Sequence, residues 1–271
     1  MSPVLKDRNK QKRYIKNYFD EYSREYHEDH YIKKKPPSIY PVLAIRLRYM
    51  TNMLSDFKKN GKIIDIGCGT GEMLQVLKKH KFLTYGLDYS FRMLHEISKE
   101  TVNQQLPLIN CDIENLPFRD ESFDGVICAG VIEYLNENQK ALREISRILK
   151  PGGLVIISLS NRLSPARLFE PLAHNLIGQK IKGWIKKNIL KKQTLLYPPF
   201  RTHIPFLFNR IAEKERLILS EFNYYHFSPL PWPINRLVSN FYVSVGLKME
   251  KLSRTRFGFL GRGYIAKYQK Q

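Results

Sequence analysis

From residue 62 to residue 160 the chain alternates short apolar runs with amphipathic stretches of helical spacing. No other feature of its 271 residues restricts the fold as strongly. KIIDIG (62–67), FLTYGLD (82–88), LPLIN (106–110), SFDGVICAG (122–130) and LVIISLS (154–160) read as strands. EMLQVLKKH (72–80), SFRMLHEISKE (90–100) and NQKALREISRIL (138–149) read as helices, the last with Ala141, Leu142, Ile145, Ile148 and Leu149 on one face. It ends at the breaker cluster Lys150-Pro151-Gly152-Gly153. The fourth run is apolar almost throughout, as expected of a strand covered on both faces. Strands alternating with helices of about 10–15 residues predict an α/β fold with a parallel sheet between two helical layers.

The flanks are less regular. Residues 14–30 and 42–58 read as helices around a basic, proline-containing break (33–38). Beyond 160, residues 210–221 suit a helix and 223–230 a strand. Pro233 then opens a helical stripe of Ile234, Leu237, Val238, Phe241, Val245, Met249 and Leu252, and GYIAKY (263–268) is a last strand. The three cysteines, Cys68, Cys111 and Cys128, form no CxxC pair, which argues against a disulfide framework or a zinc cluster; no metal is expected. The sequence shows neither an apolar run of about 20 residues nor an N-terminal apolar signal segment, so the expected location is cytoplasmic.

The formal net charge of +20 is unevenly placed. Residues 1–62 carry +8, residues 63–160 carry −3, and residues 161–271 carry +15. Such flanks attract anionic partners, or merely solvate helices.

The chemistry centres on Asp65-Ile66-Gly67-Cys68-Gly69-Thr70-Gly71-Glu72, between a strand and a helix. Glycines there let the backbone turn sharply and approach a ligand at the positive end of the helix. A dinucleotide fingerprint requires GxGxxG. Here the third glycine comes one position early and Glu72 stands where Gly or Ala is needed, facing what would be a pyrophosphate. A ligand with a cationic amino-acid end fits better. Asp88 closes the second strand, where a carboxylate can accept from both hydroxyls of a ribose. Asp112 follows the third strand, placed to accept from an adenine amino group while Ile113 covers the ring. An Asp after a strand is often only a turn residue. Acidic residues at three successive strand ends on one sheet edge suit a ligand site better.

IIDIGCGTGE, GLDYS, CDIENLPFRDESFDGVICAGVIEYL and LKPGGLVIISLSN together resemble the core of the class I S-adenosylmethionine-dependent methyltransferases, in the subgroup that includes the ubiquinone and menaquinone biosynthesis enzymes. YFDEYSREY (18–26) is similar to the segment these enzymes fold over the cofactor. The resemblance implies a doubly wound, mostly parallel seven-stranded sheet of the Rossmann-like methyltransferase type. It divides the chain into a helical N-terminal lid (1–60), a cofactor-binding core (61–161), a basic aromatic cap inserted after the fifth strand (162–209) and a C-terminal completion of the sheet (210–271). The implied cofactor is S-adenosylmethionine, with S-adenosylhomocysteine as product. Gly67, Gly69 and Gly71 would approach its methionine part, with Asp65 near its amino group. Asp88 would take the ribose and Asp112 with Ile113 the adenine. Ala129 and Gly130 would border the sulfonium and the acceptor, and Cys68, Tyr89 and Met93 complete the implied contact set. Many relatives have His where this chain has Tyr134, so Tyr134 is given no catalytic role.

Methyl transfer requires alignment of a nucleophile with an activated methyl; a base helps where the acceptor is a hydroxyl or protonated amine. Candidates are His203, His27, His30 and Glu133. After the fourth strand the chain has Ala129-Gly130-Val131 rather than [Asp/Asn]-Pro-Pro-aromatic, which argues against the nucleic-acid amino-methyltransferases that carry that motif. The aromatic, basic cap, read with Trp184, Tyr197, Phe200, Phe206, Phe208, Tyr224, Tyr225 and Trp232, is compatible with a lipid, quinone-like, glycan or polyketide-like acceptor. The leading expectation is a small or lipid- or glycan-linked molecule methylated at oxygen. The alternatives are an RNA-directed enzyme using the basic flanks and a non-catalytic cofactor-binding module. Peripheral contact with an anionic membrane is expected first of Lys180–Lys192 and second of the stripe from Ile234 to Leu252.

Overall fold

Seven strands form one sheet in the computed structural model, which describes residues 7–27, 41–100, 106–167, 198–227 and 239–271. The strands are β1 (Lys62–Ile66), β2 (Leu83–Asp88), β3 (Leu108–Asn110), β4 (Phe123–Ala129), β5 (Leu149–Ser160), β6 (Leu217–Phe227) and β7 (Gly261–Lys270). The described helices are α1 (Arg8–His27), α2 (Val42–Asn52), α3 (Glu72–Lys79), α4 (Phe91–Glu100), α5 (Gln139–Ile148), α6 (Pro205–Lys214) and α7 (Ser239–Met249). Sheet order is β3-β2-β1-β4-β5-β7-β6. The first five strands are parallel, while β7 runs antiparallel between β5 and β6. The strand order reverses between β1 and β4, and open α/β sheets bind ligands beyond the carboxyl ends of the strands at such a point. The seven-stranded, mostly parallel sheet expected from the resemblance is present.

Side-chain alternation divides the core into two layers. Ile64, Ile66, Val126, Cys128, Val155 and Ile157 point to the side covered by Leu142, Ile145 and Ile148 of α5 and Phe208 and Ala212 of α6. Ile63, Ile127, Ile156 and Ile265 point to the opposite side, against Ile45 and Met50 of α2, Met73 and Leu77 of α3, and Tyr242 and Val243 of α7. Strands buried on both faces need apolar residues at consecutive positions, which is why β1, β4 and β5 read as unbroken apolar runs.

The predicted boundaries change where pairing across the sheet outweighs local pattern. Residues 210–221 were expected as one helix and 223–230 as a strand. Instead the helix runs Pro205–Lys214, crossing the expected 209/210 boundary, and the strand begins at Leu217. Arg216 adopts φ 63°, a left-handed turn that stops the helix, and β6 then pairs with β7 from Leu217↔Lys270 onward. The fifth strand starts at Leu149 rather than 154, because Leu149 pairs with Phe123 before the Pro-Gly-Gly irregularity. In place of a helix over 42–58, α2 stops at Asn52 and a 3₁₀ turn covers Met53–Asp56. The stripe from Ile234 is helical where described, over Ser239–Met249. Lys180–Lys192 and His30 lie outside the described residues.

Phe57 follows the 3₁₀ turn, and its ring packs where a Cβ on Gly125 of β4 would stand, 2.4 Å from that point. Gly125→Ala should therefore destabilise the protein by about 1–3 kcal/mol through overpacking. Denaturant unfolding checks this, with the midpoint expected to fall and the slope to stay unchanged.

Candidate active site

The glycine turn after β1 is shaped by its hydrogen bonds to the end of β2. The backbone amides of Gly67 and Cys68 both donate to the Leu87 carbonyl, at 2.7 and 2.9 Å. One residue on, the Asp88 carboxylate accepts from the amide of Gly69 at 2.9 Å and from the amide of Ser90 at 2.8 Å. Gly69 has φ 53°, and the nearest atom to a Cβ there would be Tyr26 Cε1 at 3.9 Å, so the backbone is bare toward the space beside it. Gly67, at φ 71°, lies so close to the Val131 side chain that a Cβ would collide with it. Burial pushes the Asp88 carboxyl up to about 6, against the lowering effect of these amides. Asp65 is buried and held well above the usual carboxylate range by burial, then by the nearby charges of Asp88 and Glu72.

A cavity of about 440 Å³ opens above this turn. Its floor is made by Gly67, Gly69, Asp88, Tyr89, Met93, Asp112, Ile113, Ala129 and Gly130. A smaller space of about 50 Å³ beside it is lined by Asp65, Cys68, Gly69 and Glu72. The structure thus gathers every residue of the implied contact set around two adjoining spaces except Gly71. That residue sits at the start of α3 against Ile97.

The far wall comes from α1 and α2. Ile15, Tyr18, Phe19, Tyr22 and Tyr26 of α1 line the cavity with Val42, Leu43 and Arg46 of α2. Ion pairs hold α1 in place: Arg8 with Glu114 at 2.5 Å, and Lys12 with both Asp112 and Glu114. Ser90 Oγ also donates to Asp20 at 2.5 Å, and the Phe19 and Tyr134 rings meet edge-on at 5.5 Å. Tyr134 is therefore part of the packing under the lid helix. The sequence reading missed Lys12, Asp20 and Arg46. For Arg46 there was a signal, since a charged residue breaks the apolar face Val42, Ile45, Tyr49, Met50 of its helix.

Arg46 Nη1 approaches within 2.7 Å of the point where a Cβ on Gly130 would stand, and the Tyr225 hydroxyl lies within hydrogen-bonding reach. Glu133 also lines the cavity, and burial raises its carboxyl above the usual range while Arg46 and Arg167 pull it down. Among the other candidates, His203 is buried away from the cavity lining and its Nε2 meets Asn138 Oδ1 at 3.1 Å. Burial and the neighbouring Arg201 lower its pKa to about 4. His27 ends α1, and its side chain lies outside the described residues.

This site fits the implied cofactor on the structure's own terms: a bare glycine backbone, a carboxylate at the end of β2, and a cavity of suitable size that both of them line.

Residues 64–157 match a methyltransferase-domain family model. An uncharacterized protein of Methanocaldococcus jannaschii is 31% identical over 184 residues, 68% of this chain and 59% of that protein. The probable tRNA methyltransferase 9B of Mus musculus is 37% identical over 120 residues, 43% of this chain and 26% of that protein. The chain therefore spans less than two thirds of either relative. The ubiquinone biosynthesis O-methyltransferase of Coxiella burnetii is 29% identical over 201 residues, 73% of this chain and 79% of that enzyme. The solved structure of magnesium protoporphyrin IX methyltransferase from Synechocystis, with bound S-adenosylhomocysteine, superposes with a TM-score of 0.63 at 15% identity, covering 96% of this chain and all of that one. That likeness establishes a shared fold. The domain match, with the geometry of the glycine turn, identifies residues 64–157 as a methyltransferase domain of the S-adenosylmethionine-dependent type.

Proposed function

We propose that this protein transfers the methyl group of S-adenosylmethionine to a small or lipid-linked, largely apolar acceptor, at oxygen. The observation that carries the reading is the cavity's division into an acidic, glycine-rich floor and an opposite wall in which Ile15, Phe19, Tyr22, Tyr26, Val42 and Leu43 outnumber the cations Lys12, Lys16 and Arg46. When bound, the cofactor supplies an electrophilic methyl. The chain's own residues bind, orient and exclude water. Asp88 receives the ribose hydroxyls with the oxygen capacity left beside its two amide bonds, since an ionised carboxylate has about four acceptor sites. Asp112 already accepts from the amide of Glu114 and from Lys12, and it takes the adenine amino group as a further donor, with Ile113 against the ring. The bare backbone at Gly69, with Gly67 next to it in the lining, takes the methionine end, beside Asp65. Holding the acceptor in line with the methyl then supplies much of the rate.

Among the described candidate bases Glu133 is the best placed, since it lines the cavity and burial raises its carboxyl above the usual range. An RNA acceptor is the second reading. The net charge of +20 and the similarity to a probable tRNA methyltransferase favour it, whereas the apolar wall favours an apolar acceptor.

Hydrogen bonds to a charged group are worth about 1.5–3 kcal/mol, so Asp88→Ala should weaken cofactor binding by about 10- to 100-fold in calorimetric titration. The same titration should detect no binding of NAD. Because the Asp88 carboxyl is raised to about 6, its charged, accepting form is lost as pH falls through that value. Cofactor affinity should accordingly decline below about pH 6, and that decline should be absent in the Asp88→Ala protein.

Incubation of cell extract with the enzyme and cofactor labelled in the methyl group tests the acceptor. The label should enter the lipid or small-molecule fraction and resist ribonuclease. Label confined to RNA would replace this reading with the second. Glu133→Gln should lower kcat and flatten the acidic limb of the rate profile while leaving cofactor affinity unchanged.

A further inference from the structure

We propose that the exposed face of α7 and the loop that follows it dock on an anionic membrane surface. Phe241 is 71% exposed and Leu247 42% exposed, and Ser244, Lys248 and Lys251 share their side of the helix and its 3₁₀ extension. The loop adds Phe257 at 46% and Phe259 at 40% exposure, together with Arg254 and Arg256. The Arg256 guanidinium lies 4.9 Å from the Phe257 ring centre. A single acidic residue, Glu250, falls among residues 239–262, and it is buried, accepting from the Tyr49 hydroxyl and the His226 amide at 2.9 Å each. The surface therefore presents four large apolar side chains among three cations, Lys248, Lys251 and Arg256, while Arg254 is paired with Glu221 of β6, and the segment has no exposed carboxylate of its own. Large apolar side chains flanked by Lys and Arg are the composition of helices that lie in a lipid interface. Leu247 and Phe241 stand on a helix face, where they suit acyl chains better than nucleobases. That is why we favour a membrane over RNA.

The position of this face adds weight. The side-chain amide of Asn161, just past β5, donates to the carbonyls of Phe259 and Gly261 at 2.9 and 2.7 Å, and Ser164 Oγ donates to the Leu260 carbonyl at 3.0 Å. These bonds fix the loop at the carboxyl edge of the parallel strands, the edge that also holds the glycine turn. Tyr49, bonded to Glu250, lies one helical turn along α2 from Arg46 in the cavity wall. Docking here would bring the carboxyl edge toward the lipid, whence an amphipathic acceptor could arrive. The inference itself needs neither cofactor nor acceptor, so it stands or falls apart from the methyl-transfer reading.

The test is sedimentation of the full chain with vesicles of phosphatidylcholine alone, or of phosphatidylcholine with phosphatidylglycerol, without cofactor. Binding should require the anionic lipid and weaken as salt is raised. One basic side chain near an anionic surface is worth about a fivefold change in partitioning, so Lys248→Gln, Lys251→Gln and Arg256→Gln combined should cost roughly a hundredfold. Phe257→Ser with Phe259→Ser should cost about tenfold or more, an effect that charge attraction alone does not produce. Both variants alter exposed side chains, and unchanged circular dichroism and cofactor affinity should accompany the loss. Equal binding to both vesicle types, or none at low salt, would overturn the proposal. So would full retention by the Phe variant. The proposal would equally fail if binding survived both variants but vanished on changing Lys180, Lys182, Lys186, Lys187, Lys191 and Lys192 to Gln. Displacement of the vesicles by bulk tRNA, with the Phe variant binding that RNA like the wild type, would assign the surface to RNA instead.

Discussion

The site depends on the way the end of β2 captures the turn after β1. Two amides of the turn bond to the Leu87 carbonyl, and a third bonds to the Asp88 carboxylate. A glycine-rich turn has much conformational entropy to lose, so it holds one shape only where several donors find fixed acceptors. Parallel pairing of β1 with β2, in register from Lys62↔Leu83 to Ile66↔Leu87, puts those acceptors in place. The same carboxylate also accepts from the amide of Ser90, and Ser90 in turn donates to Asp20 of the lid. Turn, strand end and lid are thus joined through two neighbouring side chains.

The loop after β3 performs a similar double duty. Asp112 faces the cavity while Glu114, two residues on, is buried under α1 between Arg8 and Lys12. A buried carboxylate left without partners would be costly, so the lid helix is favoured in the one position that brings both cations to it. That position carries Phe19, Tyr22 and Tyr26 over the glycine turn and makes the space beside it a walled cavity rather than an open cleft. The polarity of the cavity therefore follows from two sources: acids from the strand ends and aromatic rings from the lid.

Charge in this protein is segregated by role. The mildly acidic core supplies the carboxylates of the floor, and the basic flanks supply the cations that bind the lid to them. Lys267 shows the same economy inside the sheet, where it is buried and pairs with Glu221 at 2.6 Å as well as with Asp56. Not all of the excess is consumed in this way: Arg254 pairs with Glu221, but Lys248, Lys251 and Arg256 around α7 remain exposed.

The sequence by itself determined the parallel core and the floor of the site. Continuous apolar runs can be buried only between two helical layers, and the spacing of Gly67, Gly69, Asp88 and Asp112 relative to strand ends depends on nothing outside residues 62–113. Local pattern was less informative where a segment's partner lies far away in the chain. RIAEKERLILSE has helical periodicity throughout, yet its second half pairs with β7, some 50 residues on, and ladder hydrogen bonds decide in favour of strand. YFDEYSREY marked the segment that supplies the rings of the cavity wall, but the pairings that seat that wall were beyond reach for the same reason. Lys12 meets Asp112 and Glu114 a hundred residues away, Arg46 reaches Gly130 across the sheet, and His203 proves to be a buried partner of Asn138. Such pairings are set by where whole helices come to rest, and that depends on the burial of many side chains at once. No single stretch of sequence encodes it.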